Sequence, residues 1–419
     1  MIFTPKTGSF EGMKSMNRAT ILNMVRLEGP ISRAQIAKRT KLTPPTVGTI
    51  VQELMEEDLL IEETGIGKIQ GGRKPLMLSI HSSAFYAIGV YAAAEVVHTV
   101  IATLDGEIFM EKEERMQTPP PLEEFLQLLS RSVSFVIEES GAAPEKIIGI
   151  GVAMHGLVNS EEGTAIFSPH LQLENIPIQQ HLEEKFSIPV LVENDVRTLT
   201  LAEGWYGEGQ NISHFLCVSV GLGIGSGIVL DNTIYRGPVH SAGEIGHTVV
   251  DVSGPKCHCG NYGCLEAYAS ESSILEQTQR QLRFGKPSLL HEIAGDKELT
   301  MQHVYQAVAE KDPLAMEVAA DAGRYLGIAI ANITNMLSFS KIVLEGELFQ
   351  VGDVILDPLR SMVEKRTLRS VRNATTIAIS PLGKKGMVIG AFTLVIDQMF
   401  QAGTRQETKY KKSSSSLSS

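Results

Sequence analysis

Four residues of the types that bind metals lie close together in this chain. Cys257, Cys259 and Cys264 are three of its four cysteines, and His247 lies ten residues before the first of them. Three thiolates and one imidazole form a complete tetrahedral ligand set for a structural zinc, and intervening glycines permit a tight loop. The C-x-C-x4-C spacing differs from the paired C-x2-C of zinc ribbons, so reduced thiols in a glycine-rich turn are the alternative. The stretch from Gly243 to Glu266 thus favours a loop folded around zinc.

Length and composition limit the possible architectures. A chain of 419 residues exceeds one ordinary domain, so two or three are expected, and an apolar fraction of 43% can supply large cores. No apolar run reaches the length of a membrane span, and the start lacks a signal-peptide pattern. Four cysteines, three of them clustered, do not suit a secreted disulfide scaffold. We therefore expect a soluble cytoplasmic protein with no membrane partner.

The net charge of −11 is distributed unevenly along the chain. Residues 1–81 contain 11 Lys and Arg against 8 Asp and Glu, whereas the remaining residues contain 26 against 40. A mildly basic segment joined to an acidic one suits a polyanionic partner for the first segment only. The predicted organisation is an N-terminal module at 1–81, a body at 82–402 and a disordered Ser-rich tail at 403–419.

The N-terminal module has the pattern of three short helices, the first from about Met16, followed by a hairpin. Ser32 and Gln35 form a capping-box pattern for the second helix, and Thr43 followed by Pro44 starts the third. The apolar face of the third helix, at i, i+3, i+4 and i+7 spacing, consists of Val47, Ile50, Val51 and Leu54. This order predicts a winged helix-turn-helix whose third helix enters the major groove of double-stranded DNA.

Contacts to DNA are expected from hydroxyl residues at the start of the third helix, from the second helix and from the tip of the wing. The predicted DNA-binding residues are Arg33, Thr43, Thr46, Thr49, Arg73 and Lys74. Glycines beside the wing residues would allow a close approach to the minor groove, where basic side chains meet strong negative potential. The alternative is a small helical oligomerisation module with a solvated run of charge.

From about Phe85 the sequence alternates short apolar strands with helices, which predicts an α/β body. The segment IPVLVENDVRTLTLAEGWYG predicts a strand and then a helix. Asn194 and Asp195 end that strand, where α/β sheets place their chemistry, although both also suit a helix N-cap. The segment VGLGIGSGIV predicts a glycine-rich hairpin that can cradle a phosphate or lie against a sugar. A long helix is predicted from Met316 to Leu337, and GMVIGAFTLVIDQMF predicts a final helix.

Several of these segments together resemble one protein family. The segments VGLGIGSGIV, AGEIGH and CHCGNYGCLEAYAS, with Gly237 between the first two, resemble the signature of the ROK family of repressors, open reading frames and sugar kinases. With the module in front, and with SPHLQLENIPI and VENDVRTLTLAE, the chain is similar to the transcriptional-repressor branch that contains the N-acetylglucosamine and xylose repressors. The resemblance spans nearly the whole chain and is most specific from Val192 to Glu266.

The resemblance implies a body with the two-lobed actin-like ATPase (ribonuclease H-like) fold. It also implies a sugar or sugar-phosphate effector whose contacts are Asn194, Asp195, Glu244, His247 and Glu266. Such residues suit a sugar, because each hydroxyl can donate to a carboxylate while it accepts from an amide or imidazole. The expected cofactor is a structural zinc, and a homodimer or homotetramer on operator DNA is expected. Candidate effectors are N-acetylglucosamine 6-phosphate, xylose and glucose.

The same family contains ATP-dependent sugar kinases, in which Asp195 would be the general base. Their phosphate-binding pattern, D-x-G-G-T, is replaced here by a run that starts at Tyr91, has alanines in place of the glycines and ends at Glu95. A later glycine pair is replaced by Glu345-Gly346-Glu347, which adds negative charge where ATP would bind. We therefore expect no enzyme activity and no catalytic residue. A sugar kinase with an appended regulatory module, or a repressor controlled by a transport protein, are the alternatives.

Overall fold

The structure is a computed structural model that describes residues 10–64, 76–117 and 119–401. Among these residues, strands form two five-stranded sheets, one three-stranded sheet and one two-stranded sheet. No helix in the described ranges is both long enough and apolar enough to cross a membrane. The predicted wing tip with Arg73 and Lys74 and the predicted tail lie outside the described residues.

The N-terminal module contains three helices and a two-stranded antiparallel wing. Its elements are α1 (Phe10–Glu28), α2 (Arg33–Thr40), α3 (Pro44–Glu56), β1 (Leu60–Thr64) and β2 (Leu76–Ile80). Ser32 and Gln35 form the predicted capping box, and the Thr43 side chain caps α3 ahead of Pro44. The predicted apolar face of α3 is buried in the module. The helix-turn-helix prediction is confirmed, but α1 begins at Phe10 and is longer than expected.

The first lobe of the body follows directly. In chain order it contains β3 (Tyr86–Ala92), β4 (Val96–Thr103), β5 (Ile108–Arg115), α4 (Leu122–Ser140), β6 (Ile147–Met154), β7 (Leu157–Asn159), β8 (Thr164–Ser168), β9 (Leu173–Ile176), α5 (Ile178–Phe186) and β10 (Val190–Asn194). The main sheet has the order β10-β6-β3-β4-β5, with β7, β8 and β9 in a separate small sheet. An antiparallel meander of β3, β4 and β5 is thus extended by two parallel strands.

The second lobe repeats this plan. The chain continues through α6 (Asp195–Tyr206), β11 (Phe215–Val220), β12 (Ile224–Leu230), β13 (Thr233–Ile234), α7 (Glu266–Ala269), α8 (Glu271–Arg283), α9 (Leu290–Ala294), α10 (Met301–Ala309), α11 (Pro313–Leu337), β14 (Lys341–Glu345), α12 (Asp353–Arg366), α13 (Arg369–Arg372), β15 (Thr376–Ile379) and α14 (Gly386–Phe400). The sheet order is β13-β12-β11-β14-β15, again a meander extended by two parallel strands. Two lobes with the same strand order confirm the predicted two-lobed fold.

Helices α6 and α14 lie side by side between the two sheets. Helix α14 packs against β3 and β6, and α6 packs against β11 and β12. Two glycines make this approach possible: a Cβ at Gly151 would lie 1.8 Å from Ala391 O, and a Cβ at Gly227 would lie 1.8 Å from Thr200 Oγ1. Any side chain at either position would push a helix away from its sheet.

The strands and helices singled out from the sequence are present, with small differences at their ends. The long helix α11 begins at Pro313 rather than Met316, because the Asp312 side chain accepts from Ala315 N–H at 2.8 Å and caps it earlier. Helix α14 follows the second lobe in the chain but packs on the sheet of the first lobe. The N-terminal module shares one apolar cluster with that sheet and with α14, in which Ile21 and Val25 of α1 pack with residues such as Phe400. The domain boundaries at residues 81 and 402 stay a prediction.

Candidate functional site

Two neighbouring parallel strands bring together the first pair of candidate side chains. Strands β6 and β10 pair with Met154 opposite Asn194, so His155 and Asp195 both follow the paired ends. The carboxyl ends of parallel strands share one edge of a sheet, and side chains there meet. His155 Nδ1 lies 3.2 Å from Asp195 Oδ2. A contact across 40 residues is thus fixed by strand register.

Asn194 is the N-cap residue of α6. Its Oδ1 accepts from Arg197 N–H at 3.1 Å, and its Nδ2 donates to Gly156 O and to Asp195 Oδ1, both at 3.0 Å. Asp195 Oδ1 also accepts from Val196 N–H at 2.9 Å. The capping interpretation therefore holds for Asn194. Asp195, which is 4% exposed, uses its other oxygen to face His155.

The four predicted metal ligands form one cluster. Within the described residues they are the group of His, Cys, Asp and Glu side chains placed to hold a metal, with ligand atoms all within 4.8 Å of one another. Cys259 Sγ lies 3.8 Å from Cys264 Sγ, and Cys257 Sγ lies 3.8 Å from His247 Nδ1. Two sulfurs bound tetrahedrally to one zinc at about 2.3 Å lie about 3.8 Å apart. The donor set and its spacing therefore fit zinc.

The stretch from Gly243 to Glu266, called the metal-ligand loop below, is held in shape by backbone hydrogen bonds. Val250 N–H donates to Gly263 O, and Leu265 N–H donates to Thr248 O, both at 2.9 Å. Gly263 has φ +69°, and a Cβ there would lie 1.7 Å from Asp251 O. Glycine is therefore required at this turn.

Glu266 connects the metal-ligand loop to the glycine-rich hairpin. Its Oε2 accepts from Ile224 N–H at 3.1 Å, and its Oε1 lies 3.9 Å from Cys257 Sγ. A Cβ at Gly223 would lie 2.8 Å from Oε2, so the glycine gives this carboxylate room. The turn between β11 and β12 thus holds the Glu266 carboxylate in place with a backbone hydrogen bond.

The charged and titratable members of the predicted effector set, Asp195, His247 and Glu266, all act on Glu244. Desolvation, together with Asp195 and Glu266, raises the pKa of Glu244 against the opposing effects of His247 and Arg197. Burial opposes a charge on His155, but the hydrogen bond to Asp195 and the nearby Glu266 and Glu244 raise its pKa overall. The result is a site rich in carboxylates with a histidine inside it.

A buried ion-pair network below this site was missed in the sequence. Glu193 and Arg197 are 1% and 3% exposed, and Arg197 Nε donates to Glu193 Oε1 at 2.8 Å. Arg236 Nε donates to Glu193 Oε2 at 2.6 Å, and Arg197 Nη1 donates to His240 O at 2.8 Å. Burial acts to raise the pKa of Glu193, but the two guanidinium groups lower it overall. The network ties α6 to the loop that leads to Glu244. The sequence offered no signal for this pair, because Glu193 lies in β10 and Arg197 lies in α6.

The expected nucleotide side of the cleft contains a tyrosine and a buried acid. Tyr91 ends up near Asp195 and Glu345, and burial raises its pKa. Burial also raises the pKa of Glu345 to about 7, and Ser219 Oγ donates to Glu345 Oε2 at 2.7 Å. Burial therefore acts against the negative charge that the sequence implied for Glu345.

The described DNA-binding candidates take local partners. Arg33 Nε donates to Glu62 Oε1 at 3.0 Å, so this guanidinium is paired with the wing. The Thr43 and Thr46 hydroxyls lie 2.8 Å apart, and the Thr49 hydroxyl donates to Pro45 O at 3.1 Å. Thr43 and Thr49 are exposed at the start of α3, and Thr46 is half-buried.

A second feature missed in the sequence is the junction between the module and the body. The Arg26 guanidinium of α1 lies 3.9 Å from the centre of the Trp205 ring, near the end of α6. Asn23 Nδ2 donates to Phe400 O at 2.7 Å. Helix α6 thus begins at Asp195, beside Glu244 and Glu266, and near its other end Trp205 contacts the N-terminal module.

Comparison with known proteins finds two families along the chain. Residues 88–398 match the ROK family, and residues 18–61 match the winged helix-turn-helix DNA-binding family. The xylose repressor of Caldicellulosiruptor bescii is 29% identical over 392 residues, which cover 94% of this chain and 98% of that protein. The DNA-binding transcriptional dual regulator NagC of Escherichia coli is 32% identical over 389 residues, which cover 93% and 94%.

Solved structures of ROK family proteins also superimpose on this chain. A ROK family transcriptional regulator, a homologue of the Escherichia coli MLC protein, superimposes with a TM-score of 0.83 at 28% identity, covering 93% of this chain and 97% of that one. A ROK family glucokinase from Streptomyces griseus, in complex with glucose and AMPPNP, superimposes with a TM-score of 0.65 at 25% identity, covering 74% and 98%. The regulator thus matches over the module and the body together.

Proposed function

This chain belongs to the ROK family, and we propose on that premise that it is a DNA-binding transcriptional repressor of carbohydrate-utilisation genes. The observation that carries the proposal is the extent of similarity to proteins named as repressors, which includes both the winged module and the body. DNA contacts are proposed for Arg33, Thr43, Thr46 and Thr49, and for Arg73 and Lys74, which lie outside the described residues. A homodimer or homotetramer would place two such modules on operator half-sites.

The proposed effector is a sugar or sugar phosphate bound by Asn194, Asp195, Glu244, His247 and Glu266. The support for this proposal is that Asp195, at the end of β10, and Glu266, on the metal-ligand loop, both raise the pKa of Glu244, and a group of carboxylates suits the hydroxyl donors of a sugar ring. N-acetylglucosamine 6-phosphate, xylose and glucose are the candidates to test.

The proposed role of the metal cluster is structural. Zinc would be held by His247, Cys257, Cys259 and Cys264, and because protein atoms fill all four positions it would supply no open position for catalysis. His247 Nδ1 faces the thiols, so its Nε2 lies on the opposite edge of the ring. Zinc would thereby fix the tautomer of a histidine that also contacts the effector.

A second candidate function is an ATP-dependent sugar kinase with an appended regulatory module. It is kept because Asp195 is present and paired with His155, and because ROK kinases share the fold of the body. The residues on the expected nucleotide side of the cleft disfavour a kinase. Tyr91 replaces the aspartate of the phosphate-binding pattern, and the buried Glu345 replaces a glycine of the later glycine pair.

The deciding experiment measures DNA release by sugars. An operator is selected from random duplexes by repeated binding and amplification, and zinc-loaded protein is screened by thermal shift against sugars and sugar phosphates. We expect one sugar to stabilise the protein and to weaken operator binding. Steady ATP-dependent phosphorylation of that sugar would instead identify a kinase. The absence of sugar binding at millimolar concentration would favour control by a transport protein.

We expect the contact between Arg26 and Trp205 to carry part of the signal from the sugar site to the DNA-binding module. Helix α6 is about 18 Å long and rigid, so movement at Asp195 is transmitted to Trp205. An Arg26→Met variant keeps the aliphatic stem but loses a cation–π contact of about 0.5–2 kcal/mol. The ratio of operator affinities without and with sugar should fall by about 2–30-fold.

Arg18→Met is the matched control for that variant. Arg18 lies on the same helix but pairs with Glu57 inside the module. We expect unchanged sugar affinity by calorimetry in both variants and a reduced affinity ratio only in Arg26→Met. A wild-type ratio in Arg26→Met would show that coupling follows another route.

A further inference from the structure

The proposed effector site is well supplied with hydrogen-bond acceptors, but the donors on its side chains are mostly in use. The Asn194 amide donates to Gly156 O and to Asp195 Oδ1. Arg197 donates to Glu193 and to the His240 carbonyl. A sugar that donates to carboxylates still needs donors for its own oxygen lone pairs.

His155 has the free polar atom that meets this need. Its Nδ1 faces Asp195 Oδ2, while its Nε2 is buried and has no hydrogen-bond partner. A buried polar atom without a partner has lost its hydration with nothing in exchange, so a ligand that pairs with it recovers that cost. Nε2 belongs to the ring that Asp195 orients at the carboxylate site.

The neighbour that packs on this ring is His170. The centres of the two imidazole rings lie 4.5 Å apart with planes inclined by 31°. His170 is half-buried and lies in the turn between β8 and β9, where a side chain can move without disturbing the main sheets. Burial and the nearby His155 lower the pKa of His170.

We propose that His155 binds the effector directly as an imidazolium, with Nδ1–H donating to Asp195 and Nε2–H donating to an oxygen of the sugar after His170 moves aside. The inference deepens the function proposed above and rests on it. It adds an effector contact from His155, which follows β6 of the first lobe, to the contacts proposed for the metal-ligand loop. The ligand class is a cyclic polyol with an acceptor oxygen directed at β6.

Two substitutions of His155 test the roles of Nδ1 and Nε2 separately. His155→Asn keeps a donor near the Nδ1 position, facing Asp195, and loses the outer nitrogen. His155→Gln places an amide nitrogen near the position of Nε2. His291→Asn, at an exposed position on α9, is the control for the chemical change. Each full-length variant is titrated by calorimetry with N-acetylglucosamine 6-phosphate, xylose and glucose, and its operator affinity is measured without sugar.

We expect His155→Asn to weaken binding of the sugar that binds the wild type by about tenfold or more, with operator affinity unchanged. His155→Gln should recover most of the affinity, and His291→Asn should match the wild type. Wild-type sugar affinity in His155→Asn overturns the inference alone. Failure of the wild-type protein to bind any sugar overturns the proposed function, and this inference with it.

Discussion

Replacement of Cys257 or Cys259 by serine is expected to abolish metal binding and the response to sugar together. The zinc content of purified protein, measured by mass spectrometry of the metal, should fall from about one ion per chain to near zero, because three ligands hold zinc far more weakly than four. Sugar affinity should fall by about tenfold or more, since the metal-ligand loop also carries Glu244, His247 and Glu266.

Comparison of the Cys257→Ser and Cys259→Ser variants distinguishes the effect of losing the metal from the effect of disturbing buried packing. Cys257 is 3% exposed and lies 3.9 Å from Glu266 Oε1, so its replacement disturbs an effector residue directly. Cys259 is exposed, and serine there removes a ligand without opening a cavity. Loss of zinc and of sugar response in Cys259→Ser therefore points to the metal itself.

Cys217→Ser is the matched control, because this fourth cysteine lies in β11 outside the cluster. It should keep its zinc and its sugar response. If both Cys257→Ser and Cys259→Ser retained one zinc per chain, the ligand assignment would be wrong.

Local sequence rules predicted the parts of the fold that depend on neighbours in the chain. The Ser32–Gln35 capping box, the Thr43 cap and the apolar face of α3 each follow from spacings of three or four residues, and all are present. The metal cluster was also predictable, because its four ligands fall in one loop whose glycines permit the required turns.

Contacts between distant segments needed the tertiary structure. His155 meets Asp195 only because β6 and β10 pair in one particular register, which the sequence does not specify. The Arg26–Trp205 contact joins two separately recognised units, and neither pattern predicts how they pack. The raised pKa of Glu345 likewise depends on burial rather than on residue type.

The two ends of α6 connect the proposed effector site to the DNA-binding module. Asn194 and Asp195 start this helix at the carboxylate site, and Trp205 near its end lies against α1. Glycines let α6 and α14 pack closely between the two sheets, so in the proposed function a change in lobe closure would move both helices. In the proposed dimer, a shift of the modules by a few ångströms would alter the spacing between the recognition helices, which must match the operator half-sites.

An Asp195→Asn substitution is expected to give a repressor that binds its operator but no longer releases it with sugar. The introduced amide would keep an oxygen for Val196 N–H, and Asn194 would still cap α6, so the fold should persist. The charged acceptor is lost, however, and hydrogen bonds to a charged group contribute about 1.5–3 kcal/mol. Sugar affinity should therefore fall by about 10–150-fold.

The measurement is sugar titration by calorimetry together with operator release by band shift, with thermal unfolding to verify the fold. Asp231→Asn, in an exposed turn after β12, is the isosteric control and should behave as the wild type. Wild-type sugar affinity and release in Asp195→Asn would remove this carboxylate from the effector site. ATP-dependent turnover of sugar by the wild type that disappears in Asp195→Asn would instead make Asp195 a catalytic base and the protein a kinase. The same substitution therefore separates a sensor from an enzyme, because a sensor loses affinity for its sugar whereas a kinase loses turnover.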